Sequence, residues 1–83
     1  MMIVEPELIA VDLRTYGEDE LASRIPTLDS ATLERIGRRA GELAVTTPLW
    51  ATALVLAAIE ILEGAPREPR WKRRRLKGIY PGM

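Results

Sequence analysis

The clearest hydrophobic pattern in the chain is an amphipathic helix near its centre. Apolar residues recur there at intervals of three and four, with charged residues between them, and this spacing places the apolar side chains on one helical face. Asp29 precedes the run, and aspartate is a preferred N-cap residue. We therefore predict a helix over residues 29–45. Its apolar positions are Leu33, Ile36, Ala40 and Leu43.

A second and much more apolar helix follows. Thr47 precedes Pro48, so a preferred capping residue stands directly before proline at a favourable first helical position. Gly64 and then Pro66 provide the opposite boundary, since glycine commonly ends a helix and proline cannot continue one. These residues predict a helix over 48–63.

The second helix carries more apolar surface than a small domain is expected to cover. From Leu49 to Leu62 its only polar residues are Thr52 and Glu60. A chain of this size buries only about 60 to 65% of its unfolded surface, and a single amphipathic neighbour leaves part of the cylinder open. We expect Leu49, Leu56 and Ile59 to form a patch that another molecule covers. A second copy of the chain is the expected partner, and the alternatives are a different protein alone or a monomer that needs no partner.

Two glycines in the first helix point to a close approach. Gly37 and Gly41 lie four residues apart, and glycine inside a helix costs about 1 kcal/mol relative to alanine. Small residues at this spacing allow another backbone to pack closely. The neighbour is either the second helix of the same chain or a second copy, so both glycines join the predicted protein interface.

The first part of the chain is less regular. Thr15 and Glu18 have the spacing of a capping box, which predicts a short helix over 18–24 that ends before Pro26. The preceding residues are predicted as an irregular arm, with a short helix starting at Pro6 or a strand pairing with a second copy as alternatives. The predicted fold is therefore all-α, a dimer-forming three-helix domain. Its helices span about 18–24, 29–45 and 48–63, with an irregular N-terminal arm and a basic C-terminal tail.

Composition argues against catalysis. The chain has 83 residues and contains neither histidine nor cysteine. It therefore lacks thiolate and imidazole ligands for metals and any nucleophile–histidine pair. The acidic run of Glu18, Asp19 and Glu20 is explained by a helix start, which favours negative charge. We predict no catalytic residue, no metal site and no cofactor.

The composition also bears on location and source. The absence of cysteine fits a cytoplasmic protein. The pattern of the first residues predicts no signal peptide, and the length of the apolar helix predicts that it does not cross a membrane. Arginine outnumbers lysine ten to two, a bias expected from a GC-rich bacterium or one of its phages.

Charge divides the chain into two parts. The net charge is zero, but residues 1–63 contain eleven acids and five arginines, whereas residues 64–83 contain one acid and seven bases. We predict a helical domain over 1–64 and a basic tail over 65–83. The tail either docks on the acidic body or reaches an anionic partner. Its candidate nucleic-acid contacts are Arg70, Trp71, Lys72, Arg73, Arg74, Arg75 and Lys77.

Taken together, these patterns favour binding over chemistry. We expect a non-enzymatic helical protein, homodimeric and cytoplasmic, that binds another protein and regulates or inhibits it. One alternative is a nucleic-acid-binding protein that uses residues 70–77, with salt-dependent affinity. Another is a small structural subunit of a larger assembly.

Overall fold

The computed structural model describes residues 5–70, and it is helical without strands over that range. The predicted all-α class is therefore confirmed. The predicted number of three helices is wrong, because a helix replaces the irregular arm. The elements are α1 (Pro6–Thr15), α2 (Asp19–Arg24), a 3-10 helix (Ile25–Thr27), α3 (Ser30–Leu43) and α4 (Trp50–Glu63).

Helix α1 begins at Pro6, where the missing N–H of proline costs no helical hydrogen bond. Ile9 and Leu13 lie one turn apart and are fully buried. Val11, between them, is 52% exposed. The segment is therefore a helix with one buried face and not a strand, and the alternative helix starting at Pro6 is confirmed.

The turn after α1 differs from the predicted capping box. Gly17 adopts a left-handed φ of 79°, and its N–H donates to the carbonyl of Arg14 over 3.0 Å. The N–H of Glu18 donates to the carbonyl of Leu13 over 2.7 Å. These two bonds form a Schellman motif that ends α1. The Thr15 hydroxyl donates to a carbonyl within α1, so it does not cap α2 and the capping-box prediction is wrong.

Helix α3 begins as the sequence predicts. Asp29 is its N-cap, and the carboxylate accepts a hydrogen bond from the N–H of Thr32 over 2.9 Å. This bond satisfies one of the backbone donors that a helix start leaves free. The helix ends at Leu43, two residues before its predicted end.

Helix α4 begins two residues later than predicted, at Trp50. The reason lies in the connection, residues 44–49. There the N–H of Thr47 donates to the carbonyl of Leu43 over 2.9 Å, so Thr47 completes the end of α3. The N-cap of α4 is instead Leu49, whose side chain makes no capping hydrogen bond.

Helix α4 is the central element of the core. It packs against α3 and α1 and touches α2, while α2 and the 3-10 helix pack against α1. Every residue from Ala51 to Leu62 is buried or half-buried. The expectation that the chain cannot cover this helix by itself is therefore wrong for residues 51–62, because α1 supplies a helix where an irregular arm was predicted, whereas Leu49 and Trp50 remain exposed. The buried residues of α4 are Ala53, Leu54, Val55, Ala57, Ala58 and Ile59.

Candidate functional site

Large exposed apolar side chains occur at two places in the described part of the chain. On α1 they are Leu8 (57% exposed) and Val11 (52%). In and next to the connection between α3 and α4 they are Val45 (83%), Leu49 (63%) and Trp50 (38%). We call these last three residues the connection patch. Tryptophan is enriched among residues that contribute most to protein interfaces, so the connection patch is the stronger candidate for binding.

Leu49 combines exposure with a position that disfavours leucine. Its φ of −105° and ψ of 130° are those of an ordinary N-cap, where serine, threonine, aspartate or asparagine stabilises the helix by about 1 kcal/mol relative to apolar residues. Asp29 has this role at the start of α3. Local helix stability therefore does not explain leucine at residue 49, and its exposure rules out a core role.

The residues of the predicted interface lie in different environments. Leu49 is exposed, whereas Leu56 is half-buried. Ile59 is fully buried inside the chain, so the predicted patch requires a correction at this residue. Gly37 is buried, and Gly41 is half-buried with no heavy atom within 4 Å of where a Cβ would stand. The structure therefore leaves Leu49, and open space beside Gly41, available to a partner.

The face of α4 around Leu56 makes hydrogen bonds to the helices on both sides of it. At about 100° per residue, Thr52 and Glu60 lie roughly 40° to either side of Leu56. The Thr52 hydroxyl shares a 2.5 Å hydrogen bond with the phenol of Tyr16 at the end of α1. The Glu60 carboxylate accepts a 3.2 Å hydrogen bond from Arg39 on α3. Leu56, between these two polar contacts, is half-buried.

A cluster of charged residues around Glu18 lies at the C-terminal end of α4. Glu18 is 1% exposed and is the one charged or polar residue in the buried class among residues 5–70. Its two carboxylate oxygens each accept a 2.8 Å hydrogen bond from the guanidinium of Arg67. This is the two-pronged geometry that makes arginine–carboxylate pairs strong and specific.

Arg70 completes the environment of Glu18. Its backbone N–H donates to a carboxylate oxygen of Glu18 over 2.7 Å, and its Nε lies 3.6 Å from the other oxygen. Arg67 also donates two hydrogen bonds to Glu63, of 2.7 and 2.8 Å. Pro69, between the two arginines, is buried. The first six residues of the basic tail, 65–70, therefore lie against the acidic body.

The charges of the cluster shift the pKa values of its members. Burial raises the pKa of the Glu18 carboxyl, but the hydrogen bonds and charges of Arg67 and Arg70 outweigh this effect, so the pKa is lowered overall. The hydrogen bond from Arg67 likewise lowers the pKa of Glu63. The same carboxylates raise the pKa of Arg67. All three groups are therefore charged at neutral pH.

The turn after α1 explains why Glu18 is buried. The Schellman motif requires Gly17 in its left-handed conformation and fixes the backbone of the next residue against the end of α1. Glu18 then starts α2, since its carbonyl accepts a 2.9 Å hydrogen bond from the N–H of Ala22. Its side chain is thereby held in the interior, where a charged partner is needed.

Sequence reasoning did not identify Glu18 and Arg67 as partners. The two residues are 49 positions apart, and no periodicity connects them. The available indication was the charge division of the chain, which left docking of the tail on the acidic body as one alternative. Of the predicted nucleic-acid contacts, Arg70 belongs to the cluster and its side chain is 55% exposed. The others, Trp71 to Lys77, lie outside the described residues.

A groove of about 290 Å³ lies between α1 and the 3-10 helix, where Val11 and Ile25 are among its apolar lining residues and Glu7 and Arg14 its charged ones. No group of three potential metal ligands occurs within residues 5–70. In the same range, no buried side-chain nitrogen or oxygen lacks a hydrogen-bond partner. No helix in this part of the chain has the length and apolar character needed to span a membrane.

Comparison with known proteins gives no further guide. No protein-family model matches the chain, and neither the curated proteins nor the solved structures contain a significant match.

Proposed function

We propose that this protein is a non-enzymatic helical protein that acts by binding other proteins through the connection patch. The observation that carries the proposal is Leu49, an exposed leucine at the N-cap of α4. A capping residue would favour the helix, and a core role would require burial. Val45 and the aromatic Trp50 lie close to it in sequence and add exposed apolar area.

Self-association through this patch is part of the proposal. In a two-fold symmetric dimer the same patch occurs on both subunits, so one apolar surface is sufficient for both partners. The open space beside Gly41 supports a close approach near the end of α3. A homodimer that regulates or inhibits a further protein remains our preferred function, and cytoplasmic location remains a prediction.

Sedimentation velocity with matched variants tests this proposal. Leu49→Asp and Leu8→Asp introduce the same charge at two leucines of similar exposure, 63% and 57%. We expect the wild-type protein and Leu8→Asp to self-associate at micromolar concentrations, and Leu49→Asp to be monomeric. Aspartate is favourable at an N-cap, so loss of association in Leu49→Asp does not result from unfolding.

A second pair of variants repeats the comparison with valine. Val45→Asp should weaken association and Val11→Asp should not, although both side chains are more than half exposed. The homodimer would be contradicted if the wild-type protein stayed monomeric up to about 100 μM, because the dissociation constant would then exceed that concentration. Equal effects of the two leucine variants would contradict the connection patch as the contact surface.

Nucleic-acid binding by residues 70–77 is the alternative. One described residue favours it, since the Arg70 side chain is more than half exposed at the start of the basic run. Phosphate binding would weaken steeply with salt, whereas an apolar interface would not. A structural role in a larger assembly is the remaining alternative, for which self-association and polyanion binding would both be absent.

A further inference from the structure

The groove between α1 and the 3-10 helix, which we call the α1 groove, has a mainly apolar lining. Its volume is about 290 Å³, and its apolar lining residues are Pro6, Ala10, Val11, Ile25 and Pro26. Val11 is 52% exposed although it lies inside a helix. Valine lowers the stability of a helix relative to alanine, and an exposed side chain adds little to the core, so folding alone does not explain valine at this position. None of the lining residues belongs to the connection patch.

Two opposite charges lie on the same side of α1 along this groove. Glu7 and Arg14, its charged lining residues, are seven positions apart, which corresponds to about two turns and about 10 Å along the helix axis. Ala10 and Val11 lie midway between them. Glu7 and Arg14 are exposed, and neither forms an ion pair with another residue of the range 5–70. The α1 groove therefore has an apolar centre with a negative charge on one side and a positive charge on the other.

The α1 groove suits a helix better than an extended segment. An extended segment would bring N–H and C=O groups onto an apolar surface, and extended peptides usually satisfy these groups by joining the edge of a sheet. Residues 5–70 contain no strand that could offer such an edge. A helix satisfies its backbone groups internally and can pack directly against apolar side chains. A helix alongside α1 also has the same rise per residue, so charges seven positions apart on it would meet both Glu7 and Arg14.

The shape of the groove argues against a second copy as its occupant. The α1 helix itself has the same pattern of an acid, two apolar residues and a base, so an antiparallel copy would match the groove in charge. In each copy, however, this side of α1 lies in the groove beside Ile25 and Pro26, and Ala10 is only 7% exposed. Two concave surfaces do not fill each other, and close packing is needed for a stable contact.

We propose that the α1 groove binds an amphipathic helix of another protein, in which two apolar residues lie between one basic and one acidic residue two turns apart. The base pairs with Glu7, the acid pairs with Arg14, and the apolar residues cover Val11. Such a helix is complementary to the groove in both charge and apolar surface. The α1 groove is a binding surface in addition to the connection patch, and its occupation does not depend on self-association.

The test uses three alanine-rich peptides of about 18 residues, a length at which such sequences form helices in water. Each has two leucines midway between charged residues seven positions apart, and the charged pair is Lys and Glu, Glu and Glu, or Lys and Lys. Fluorescence anisotropy with the full chain measures their affinities. The wild-type protein should bind the Lys/Glu peptide about threefold to fivefold more tightly than the others, each of which replaces an attractive contact by a repulsive one. Equal affinities, or no binding up to about 1 mM, would overturn the proposal.

Charge reversal beside the groove should change which peptide is preferred. Glu7→Arg should favour the Glu/Glu peptide, and Arg14→Glu should favour the Lys/Lys peptide. Because the net charge of a variant also alters its attraction to a charged peptide, Glu34→Arg and Arg35→Glu make the same charge changes at exposed positions of α3. These control variants should keep the preference for the Lys/Glu peptide. The same change of preference in the controls would show attraction to overall charge, and the proposal would then be wrong.

A crossed comparison separates the α1 groove from the connection patch. Val11→Asp should lose peptide binding and keep self-association, whereas Val45→Asp should keep peptide binding and weaken self-association. Failure of one proposal therefore does not decide the other. Loss of both properties in Val11→Asp, with helical content retained, would show that a second copy occupies the groove, against the proposal.

A measurement on the wild-type protein covers the case in which Val11→Asp does not fold. Saturation with the Lys/Glu peptide should shift the backbone amide resonances of residues 7–14, which line the groove, while those of the connection at 44–49 stay in place. Resonance shifts that leave residues 7–14 unchanged would place the peptide elsewhere and overturn the proposal.

Discussion

The two ends of helix α4 are built in opposite ways. At the C-terminal end, Gly64 adopts the left-handed conformation and Glu63 pairs with Arg67. At the N-terminal end, Leu49 occupies the cap position without a capping hydrogen bond, and Trp50 is more than one third exposed. One end is fixed by local chemistry suited to ending a helix, whereas the other presents apolar side chains to solvent.

The difference shows how stability and binding can be divided within one helix. Arg67 and Arg70, which follow the C-terminal end, bind the buried Glu18 carboxylate, so changes there should affect the free energy of unfolding. The N-terminal end lacks such contacts within the described residues, and changes there should affect association more than folding.

The largest effect is expected for Glu18→Ala. Breaking a buried ion pair typically costs about 3 to 5 kcal/mol, a large part of the stability of a small domain. Arg67 keeps its two hydrogen bonds to Glu63, so we expect a loss at the lower end of this range, about 3 kcal/mol. Chemical denaturation would measure the loss. Glu34→Ala, on the exposed face of α3, should change stability by less than about 0.5 kcal/mol. Similar values for the two variants would show that the buried cluster does not stabilise the fold.

The pH dependence of stability should reveal the same carboxylate. The pKa of Glu18 is lowered in the folded protein, so its contribution is complete above the unfolded-state pKa of about 4.3. The contribution is lost as the pH falls through the lower folded-state value. The stability difference between wild type and Glu18→Gln should therefore shrink with acidification below about pH 4. A difference that is constant from pH 7 to pH 3 would contradict this assignment.

Two glycine substitutions should have opposite signs. A Cβ at Gly64 or at Gly41 would meet no atom within 4 Å, so steric crowding is excluded at both positions. Gly64 has a φ of 82°, where alanine is disfavoured by about 1 to 2 kcal/mol. Gly41 lies inside α3, where alanine is favoured by about 1 kcal/mol. Thermal unfolding should therefore show a lower Tm for Gly64→Ala and a higher Tm for Gly41→Ala.

The Gly41 variant also sharpens the contrast between stability and association. If a second copy approaches closely at this position, Gly41→Ala should weaken self-association while it raises the Tm of the monomer. An increase in Tm with unchanged association would remove Gly41 from the interface and leave the connection patch unaffected.

The smallest effects are expected at the two N-caps. Leu49→Asp should raise the free energy of unfolding of the monomer by about 0.5 to 1 kcal/mol, because the carboxylate can accept a hydrogen bond from the first turn of α4. Asp29→Ala should lower it by about 1 kcal/mol, because the bond to the N–H of Thr32 is lost. Denaturation at a concentration where the protein is monomeric would measure both. A destabilised Leu49→Asp monomer would mean that Leu49 has a structural role.

Sequence periodicity predicted the parts of the fold that depend on local chemistry. The start of α3 at Asp29, the apolar face of that helix and the end of α4 at Gly64 all follow from interactions within a few residues. The start of α4 was placed two residues early because Thr47 is used by the end of α3. Competition between two neighbouring helix ends for one residue is not visible in either pattern alone.

The errors in the candidate site have a common origin. Ile59 was assigned to an uncovered face because residues 6–15 were predicted as an arm, and the helix they form was missing from the predicted core. Leu49 was expected to be accessible and is exposed, whereas its place in an interface stays a prediction. The pairing of Glu18 with Arg67 depends on tertiary structure. The charge count over the chain predicts that the basic tail can dock on the acidic body, but it does not predict which residues pair.

The pairing of Glu18 with Arg67 also has a consequence for biosynthesis. The two residues enclose most of the helical domain, so the carboxylate leaves the ribosome long before its partner has been translated. Until Arg67 follows, Glu18 would have to be buried without a cation or remain hydrated, and both options disfavour closure of the preceding helices. The domain is therefore expected to complete its folding only after translation has passed α4. Until then the helices of the nascent chain would not be held in their final arrangement.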